Sequence, residues 1–307
     1  MTSDSRTHTP RPTRVILDTD IGTDVDDAMA LAVILGSSQL DLVAVTTVYG
    51  DTLLRARLAQ RYARLAGRRI RVAAGEQNTL SGKPVWWAGH EGTLHADLEQ
   101  EEVDQSSGVE LMARLLNEPE PLDIVAVGPL TNVAVLLRDF PEAAARINHL
   151  WVMGGDFSNT QNEHNFRSDV VAATEVFASS VPSTVIGLEM TQLVKIDQNQ
   201  VAHLADKGAL AQALLADIEQ WRTMWSETWN VPHDPLLVLA ITHPELFEVS
   251  PTGSIAIRPD GDETEEGASS FLIGEGTSRI ISAMDAAASG ALMLDVIAEA
   301  SLGTAII

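Results

Sequence analysis

The chain contains no cysteine. That excludes a disulfide framework, a thiolate nucleophile and a zinc–cysteine site. No apolar run reaches the roughly 18 residues that a membrane span needs, so no span is expected. Residues 1–13 are polar, hold two prolines and carry no apolar segment. They read as a disordered tail rather than a signal peptide, which makes a cytoplasmic protein the expectation. Basic residues are scarce, with 20 Lys and Arg against 43 Asp and Glu and a net charge of −23. Nucleic acids and anionic membranes need a basic footprint, so neither is an expected partner. A small ligand without phosphate stays open. No linker, repeat or low-complexity tract divides the 307 residues, and 45% hydrophobic content is ample for one core. Residues 14–307 read as a single domain.

The shortage of basic residues is sharpest where the acids are densest. Asp18, Asp20, Asp24, Asp26 and Asp27 fall within the stretch VILDTDIGTDVDDAMAL, and no Lys or Arg lies between Arg14 and Arg55. Residues 15–17 are apolar and read as a buried strand; residues 28–35 read as a buried helix. The carboxylates therefore occupy a strand-to-helix turn, where α/β proteins bind ligands. Like charges this close raise one another's pKa values unless a cation compensates them. A hard divalent ion with oxygen ligands, Ca²⁺ or Mg²⁺, is the simplest compensator.

Strand and helix patterns alternate along the chain. Strands are expected at 15–18, 41–48, 70–74, 122–127, 149–153 and 183–189. Helices are expected at 26–35, 53–66, 110–116, 132–138 and 170–179. Residues 197–229 read as helical, 254–258 as a late strand, and 280–300 as a strand followed by a long helix. The acidic stretch 259–266 reads as a solvated hairpin or loop. The fold class is α/β, with a mostly parallel, open, Rossmann-like sheet covered by helices on both faces.

Polar residues collect after four of these strands: the Asp cluster, then Tyr49-Gly50-Asp51, then Gly128 to Asn132, then Gly154-Gly155-Asp156. Each loop alone has an ordinary explanation as a turn or helix cap. Together they share one sheet edge and converge. His233-Asp234-Pro235 pairs an imidazole with a carboxylate. Asp234 reads as an N-cap ahead of Pro235 at the first helical position, or as a metal ligand beside an acid. Trp221, Trp225 and Trp229 recur every fourth residue, a stripe that is either core packing or a wall for a flat ligand. Trp86 and Trp87 sit in a polar loop with Lys83 and His90.

Five motifs in order, DTDIGTDVDDAMAL, GPLTNVAVLL (128–137), VMGG (152–155), EHN (163–165) and HDP (233–235), resemble the inosine–uridine-preferring nucleoside hydrolase family. The resemblance runs from about residue 14 to the C-terminus. It implies the nucleoside hydrolase fold, one Ca²⁺ at the pocket floor, and hydrolysis of the N-glycosidic bond of ribonucleosides. By the same resemblance Asp20, Asp27, Asp234 and the Thr131 carbonyl hold calcium, Asp26 is the general base and His233 protonates the leaving base. Glu163 and Asn165 grip the sugar and Met153 lines its underside. A homo-oligomer, dimer or tetramer, is implied as well.

The chain departs from the usual family pattern in several places. An insertion lies between Asp20 and Asp26, so Asp24 could replace or join Asp20 as a ligand. Asp51 stands where many members have asparagine, and is expected near the substrate. The loop from Met153 to Glu163 is shortened, leaving Asn159 or Asn162 to replace a ribose-binding asparagine. Trp86 and Trp225 are candidates for base stacking. Two other readings fit parts of the pattern. A haloacid-dehalogenase-type Mg²⁺ phosphatase would use Asp18 as nucleophile and Asp20 as acid–base. A non-catalytic, calcium-dependent binder of nucleosides or sugars would use the same fold.

Overall fold

The computed structural model of the chain describes residues 11–159, 161–262 and 264–302. Of the tail expected over residues 1–13, residues 1–10 lie outside the described ones; Thr13 already belongs to a strand. Six parallel strands build the centre of the sheet. They are β1 (Thr13–Thr19), β2 (Leu40–Thr47), β3 (Val72–Ala74), β4 (Leu122–Ala126), β5 (Ile147–Met153) and β6 (Ser183–Ile186). Their spatial order is β3-β2-β1-β4-β5-β6. The chain therefore reverses direction across the sheet at β1 and β4, and the crevice outside their carboxyl ends is where such sheets bind ligands. Loops from both strands open there.

β1 and β4 are almost wholly buried, as expected of strands covered on both faces. The helix Asp26–Gly36 is buried along its entire length. It packs against the helices His233–Thr242 and Ala286–Ser301. That explains why its sequence is apolar all round rather than on one stripe. No helix among the described residues is long and apolar enough to cross a membrane.

The later elements differ from the sequence expectation. Residues 196–230 are not one helical run. β7 (Ile196–Asp197) pairs antiparallel with β8 (Trp229–Asn230), bracketing the helix Ala209–Trp225. That helix stops where Ser226 takes a left-handed φ of 55°, so Trp229 leaves the tryptophan stripe. The strand expected over 183–189 ends at Ile186, and Leu188–Thr191 turns helical. The sheet also continues beyond β6. β12 (Ser278–Met284) pairs with β6 in parallel. β9 (Phe247–Val249), β10 (Gly253–Ile257) and β11 (Ser269–Ile273) add antiparallel pairs. The sheet is thus mixed, with ten strands, though mostly parallel at the site. The acidic stretch 259–266 lies in the hairpin connection between β10 and β11; residue 263 lies outside the described ones.

One close approach sets the packing behind the site. A Cβ on Gly36 would stand 2.4 Å from the Val296 carbonyl oxygen and 2.9 Å from its Cγ1. Gly36→Val is expected to push the two helices apart and cost about 1–3 kcal/mol, as overpacking does. Urea unfolding measures this; an unchanged midpoint would show that the contact carries no weight.

Candidate active site

A cavity of about 330 Å³ opens at the carboxyl ends of β1, β4 and β5. Its floor is acidic. Asp26 and Asp27 project from the first turn of one helix, and Asp234 from the first turn of another. Each offers a carboxylate oxygen, and these oxygens all lie within 4.8 Å of one another. Asp20 and Asp24 line the same cavity outside this tight group. The Asp234 side chain makes no N-capping hydrogen bond, because the helix starts at His233 with Pro232 as its cap. Its carboxylate is free to face Asp26 and Asp27, contrary to the capping alternative.

The electrostatics match this crowding. Burial, and then repulsion from neighbouring aspartates, pushes Asp26, Asp27 and Asp234 well above the usual carboxylate range. Asp24 rises to about 7, mainly through burial, while the Val25 N–H pulls it back. Three buried carboxylates with all-oxygen donors are the chemistry of a hard divalent cation site. Such an ion would reverse the direction of these shifts.

A layer of polar groups holds the acids in place. The Thr19 hydroxyl donates to Asp27. Asp18 does not line the cavity; it is buried and accepts from the Thr46 hydroxyl and the Asn132 amide, both at 2.7 Å. Burial raises it to about 7 despite those bonds. A residue so enclosed cannot be the exposed nucleophile of the phosphatase reading. Thr131 is buried at a helix start, and its hydroxyl donates to Asp169 at 2.7 Å. Asp169 also accepts the Leu80 and Ser81 N–H groups. No sequence motif pointed to Asp169; its only signal was an aspartate at a helix N-cap.

The walls combine polar and aromatic side chains. Glu163 caps its own helix, accepting the N–H groups of Asn165 and Phe166, and also that of Gly155 at 3.0 Å. The Asn165 amide donates to the carbonyls of Val127 and Met153. That commits its nitrogen and leaves its oxygen for a ligand. Met153, Glu163 and Asn165 all line the cavity. So does Asn162, whereas Asn159 folds back onto the Asp156 carboxylate at 3.1 Å. Of the two candidate asparagines, the structure brings Asn162 to the cavity. Asp51 is not brought there. It is exposed and caps the helix Thr52–Leu65 through the Leu54 N–H. Helix capping has taken the role expected at the substrate.

Trp86 and Trp221 also line the cavity, and Trp86 packs edge-on against His164 with ring centroids 5.8 Å apart. Trp225 is half exposed and packs on both tryptophans, with ring centroids 6.4 and 5.5 Å away. The stripe is therefore neither core nor a complete wall: Trp221 faces the cavity, Trp225 braces it, and Trp229 lies elsewhere beside Lys195. His233 also lines the cavity, with its Nδ1 2.7 Å from the Thr191 hydroxyl. Burial lowers its pKa to about 4, so the ring is neutral near pH 7. Thr191 and Arg55, a buried cation beneath the acidic loop, were not signalled by any motif.

Known proteins resemble this chain in sequence and fold. The chain is 31% identical over 263 residues to the non-specific ribonucleoside hydrolase RihC of Salmonella paratyphi A, covering 81% of this chain and 85% of that protein. A plant nucleoside hydrolase, PpNRh1, superposes with a TM-score of 0.83 at 25% identity, covering 94% of this chain and 99% of the other. A purine-preferring ribonucleoside hydrolase from Gardnerella vaginalis shares the fold, with a TM-score of 0.81 at 22% identity over 94% and 99% of the two chains. The sequence profile of the inosine-uridine preferring nucleoside hydrolase family matches residues 15–288. The chain belongs to that family and is a nucleoside hydrolase, an N-glycosidase.

Proposed function

We propose that this enzyme hydrolyses the N-glycosidic bond of ribonucleosides to free base and ribose, with Ca²⁺ held at the cavity floor. The observation that carries the reading is the buried Asp26–Asp27–Asp234 group in a cavity that also holds Glu163, Asn165 and His233. Asp27, Asp234, Asp20 and the Thr131 carbonyl would hold the ion, with Asp24 beside them as a further acid. When bound, the cation offsets the carboxylate charge and acidifies water at the site. The name of the Salmonella relative supports a ribonucleoside substrate without a narrow base preference.

In this reading Asp26 removes a proton from the attacking water. Its carboxylate lies beside those of Asp27 and Asp234, where water held at the ion would stand. Attack at C1′ passes through an oxocarbenium-like state, as in other glycoside hydrolyses. Glu163 and the Asn165 oxygen orient the sugar hydroxyls, and Met153 packs beneath the ring. Trp86 and Trp221 offer flat faces to the base. His233 then assists the departing base. A ring that accepts the Thr191 hydroxyl at Nδ1 carries its proton on Nε2. A neutral imidazole of that tautomer donates a hydrogen bond to the base rather than acting as a pre-charged acid.

Incubating the protein with a panel of ribonucleosides and Ca²⁺ and measuring free base tests the proposal directly; release of none would overturn it. Asp26→Asn is expected to lower kcat by roughly 10²–10⁴-fold while calorimetry still detects Ca²⁺ binding. His233→Ala is expected to slow natural nucleosides by about 10²-fold or more, yet to spare nitrophenyl riboside, whose leaving group needs no proton. Equal losses on both substrates would remove His233 from that role.

The carboxylates also predict a pH signature for the metal-free protein. Asp18 and Asp24 move from 3.8 in the unfolded chain to about 7 in the fold. Between those values the fold keeps protons that the unfolded chain has released. Their stabilising contribution is complete below 3.8 and is lost as pH rises through 7. His233 acts oppositely, since its pKa falls from 6.5 to about 4, but it is one group against several carboxylates. In excess chelator the melting temperature is expected to fall by several degrees from pH 6 to pH 8, and Ca²⁺ should close the gap. A flat profile in chelator would contradict the electrostatic argument.

A further inference from the structure

Arg55 is the largest fully buried side chain among the described residues, and it lies beneath the loop that carries the acids. Its guanidinium has no carboxylate within ion-pair distance among those residues. Instead it spreads over backbone and hydroxyl acceptors. Nε donates to the Tyr49 carbonyl at 2.7 Å. Nη1 donates to the carbonyls of Asp20 and of Ile21, the latter at 2.9 Å. Both terminal nitrogens reach the Thr23 hydroxyl at 3.2 Å. The flat face of the group stacks on Trp87, 4.9 Å from the ring centroid.

Two of those partners, Thr23 and Tyr49, lead onward to the aromatic loop. The Thr23 hydroxyl donates to Glu91 at 3.1 Å, and its carbonyl meets His90 Nε2 at 2.7 Å. Glu91 also accepts the N–H groups of Ala88 and Gly89. Tyr49 accepts the Trp86 N–H on its own hydroxyl at 2.8 Å. Tyr49 holds a left-handed φ of 69°, a conformation costly for a bulky residue unless its surroundings enforce it. Two loops distant in sequence, 20–24 and 85–92, therefore meet at one guanidinium. Thr23 and Asp24 lie between Asp20 and Asp26, the stretch in which this chain departs from the usual family motif.

The chemistry calls for arginine. A planar fork of five donors can satisfy three carbonyls and a hydroxyl while presenting a face to an indole; a lysine ammonium is a point charge that can do neither fully. An apolar side chain would leave three buried carbonyls without this donor.

We propose that Arg55 is a positioning residue that couples the metal-holding loop to the Trp86–Trp87 loop, so that cation binding and base binding strengthen each other. This rests on the calcium reading above. Coupling of this kind is reciprocal: whatever loosens the aromatic loop must weaken the cation, and the converse.

The test uses the full chain, Ca²⁺ alone as the probe for calorimetry, and inosine as the probe for turnover. Arg55→Lys is expected to weaken Ca²⁺ binding by about 10–100-fold, the usual effect of removing a group that orients a ligand. Trp87→Leu touches no proposed ligand, yet is expected to weaken Ca²⁺ by several-fold and to raise KM more than it lowers kcat. Thermal melts with Ca²⁺ separate these effects from loss of fold, and should Arg55→Lys not fold, Trp87→Leu decides. Wild-type Ca²⁺ affinity in Trp87→Leu would overturn the coupling while leaving the calcium reading intact. Absence of Ca²⁺ binding in the wild type would overturn both.

Discussion

Five carboxylates, those of Asp20, Asp24, Asp26, Asp27 and Asp234, share one largely buried cavity, and the rest of the site is arranged around their mutual repulsion. Two helices, Asp26–Gly36 and His233–Thr242, direct their N-termini at the cluster. The positive end of a helix dipole favours an anion by about 0.3–1 kcal/mol. That offsets part of the cost but not all of it, because Asp26, Asp27 and Asp234 still sit well above the normal carboxylate range. Arg55 adds a fixed positive charge from below, and its field lowers the pKa of Asp27. The remaining imbalance is what a divalent cation would remove. The metal-free cluster is thus poised to take up protons or an ion, and the proposed chemistry needs the ion.

The fold supplies this constraint with its geometry. The switch point of the sheet puts the loop after β1 beside the loop after β4. A Cβ on Gly128 would fall 2.7 Å from an Asp20 carboxylate oxygen, so the two loops touch with no room to spare. Asp18 and Asn132 bind them from behind, and Asp169 fastens Thr131 to the segment 80–81. Groups that the proposal assigns to metal, base and sugar are held by these partners rather than by their own loops alone.

Legibility in the sequence followed from where each residue's partners lie. Asp26, Asp27 and Asp234 were legible because a carboxylate after a strand, at the start of a helix, has few other uses once it does not cap. The central parallel strands were legible from their apolar runs. Asp51 misled because capping and substrate contact call for the same residue type, and the local helix won. The tryptophan stripe misled at Trp229 because a single left-handed residue, Ser226, ended the helix one turn earlier. Arg55, Thr191 and Asp169 carried little signal because the partners that tie them to the site, Asp20, His233 and Thr131, lie 35 or more positions away in sequence. A helical period reports a face, not what a distant loop will place against it. Of the antiparallel strands, β10 matches the strand expected over 254–258, while β9 and β11 were missed for a related reason: their short segments are defined by pairing, not by composition.

The neutral state of His233 bears on how much the rest of the cavity must contribute. A histidine near so many carboxylates would ordinarily gain a proton, yet burial holds this ring at about 4. The Thr191 hydroxyl stands 2.7 Å from Nδ1 and 3.2 Å from the Leu188 carbonyl and can give its proton to either. With the hydroxyl proton directed to Nδ1, the imidazole proton sits on Nε2. A neutral N–H stabilises a departing base less than an imidazolium would, so departure must draw on other contacts as well. In the proposed reaction Trp86 and Trp221 supply them by stacking on the base, a contact that does not choose among bases. On that proposal one neutral donor reads a single position on the base edge and stacking reads none, a combination that would discriminate weakly between nucleobases. The site's rigidity toward the base then depends on the loop bearing Trp86, and that loop is tied through Tyr49, Trp87 and Arg55 to the loop that carries Asp20.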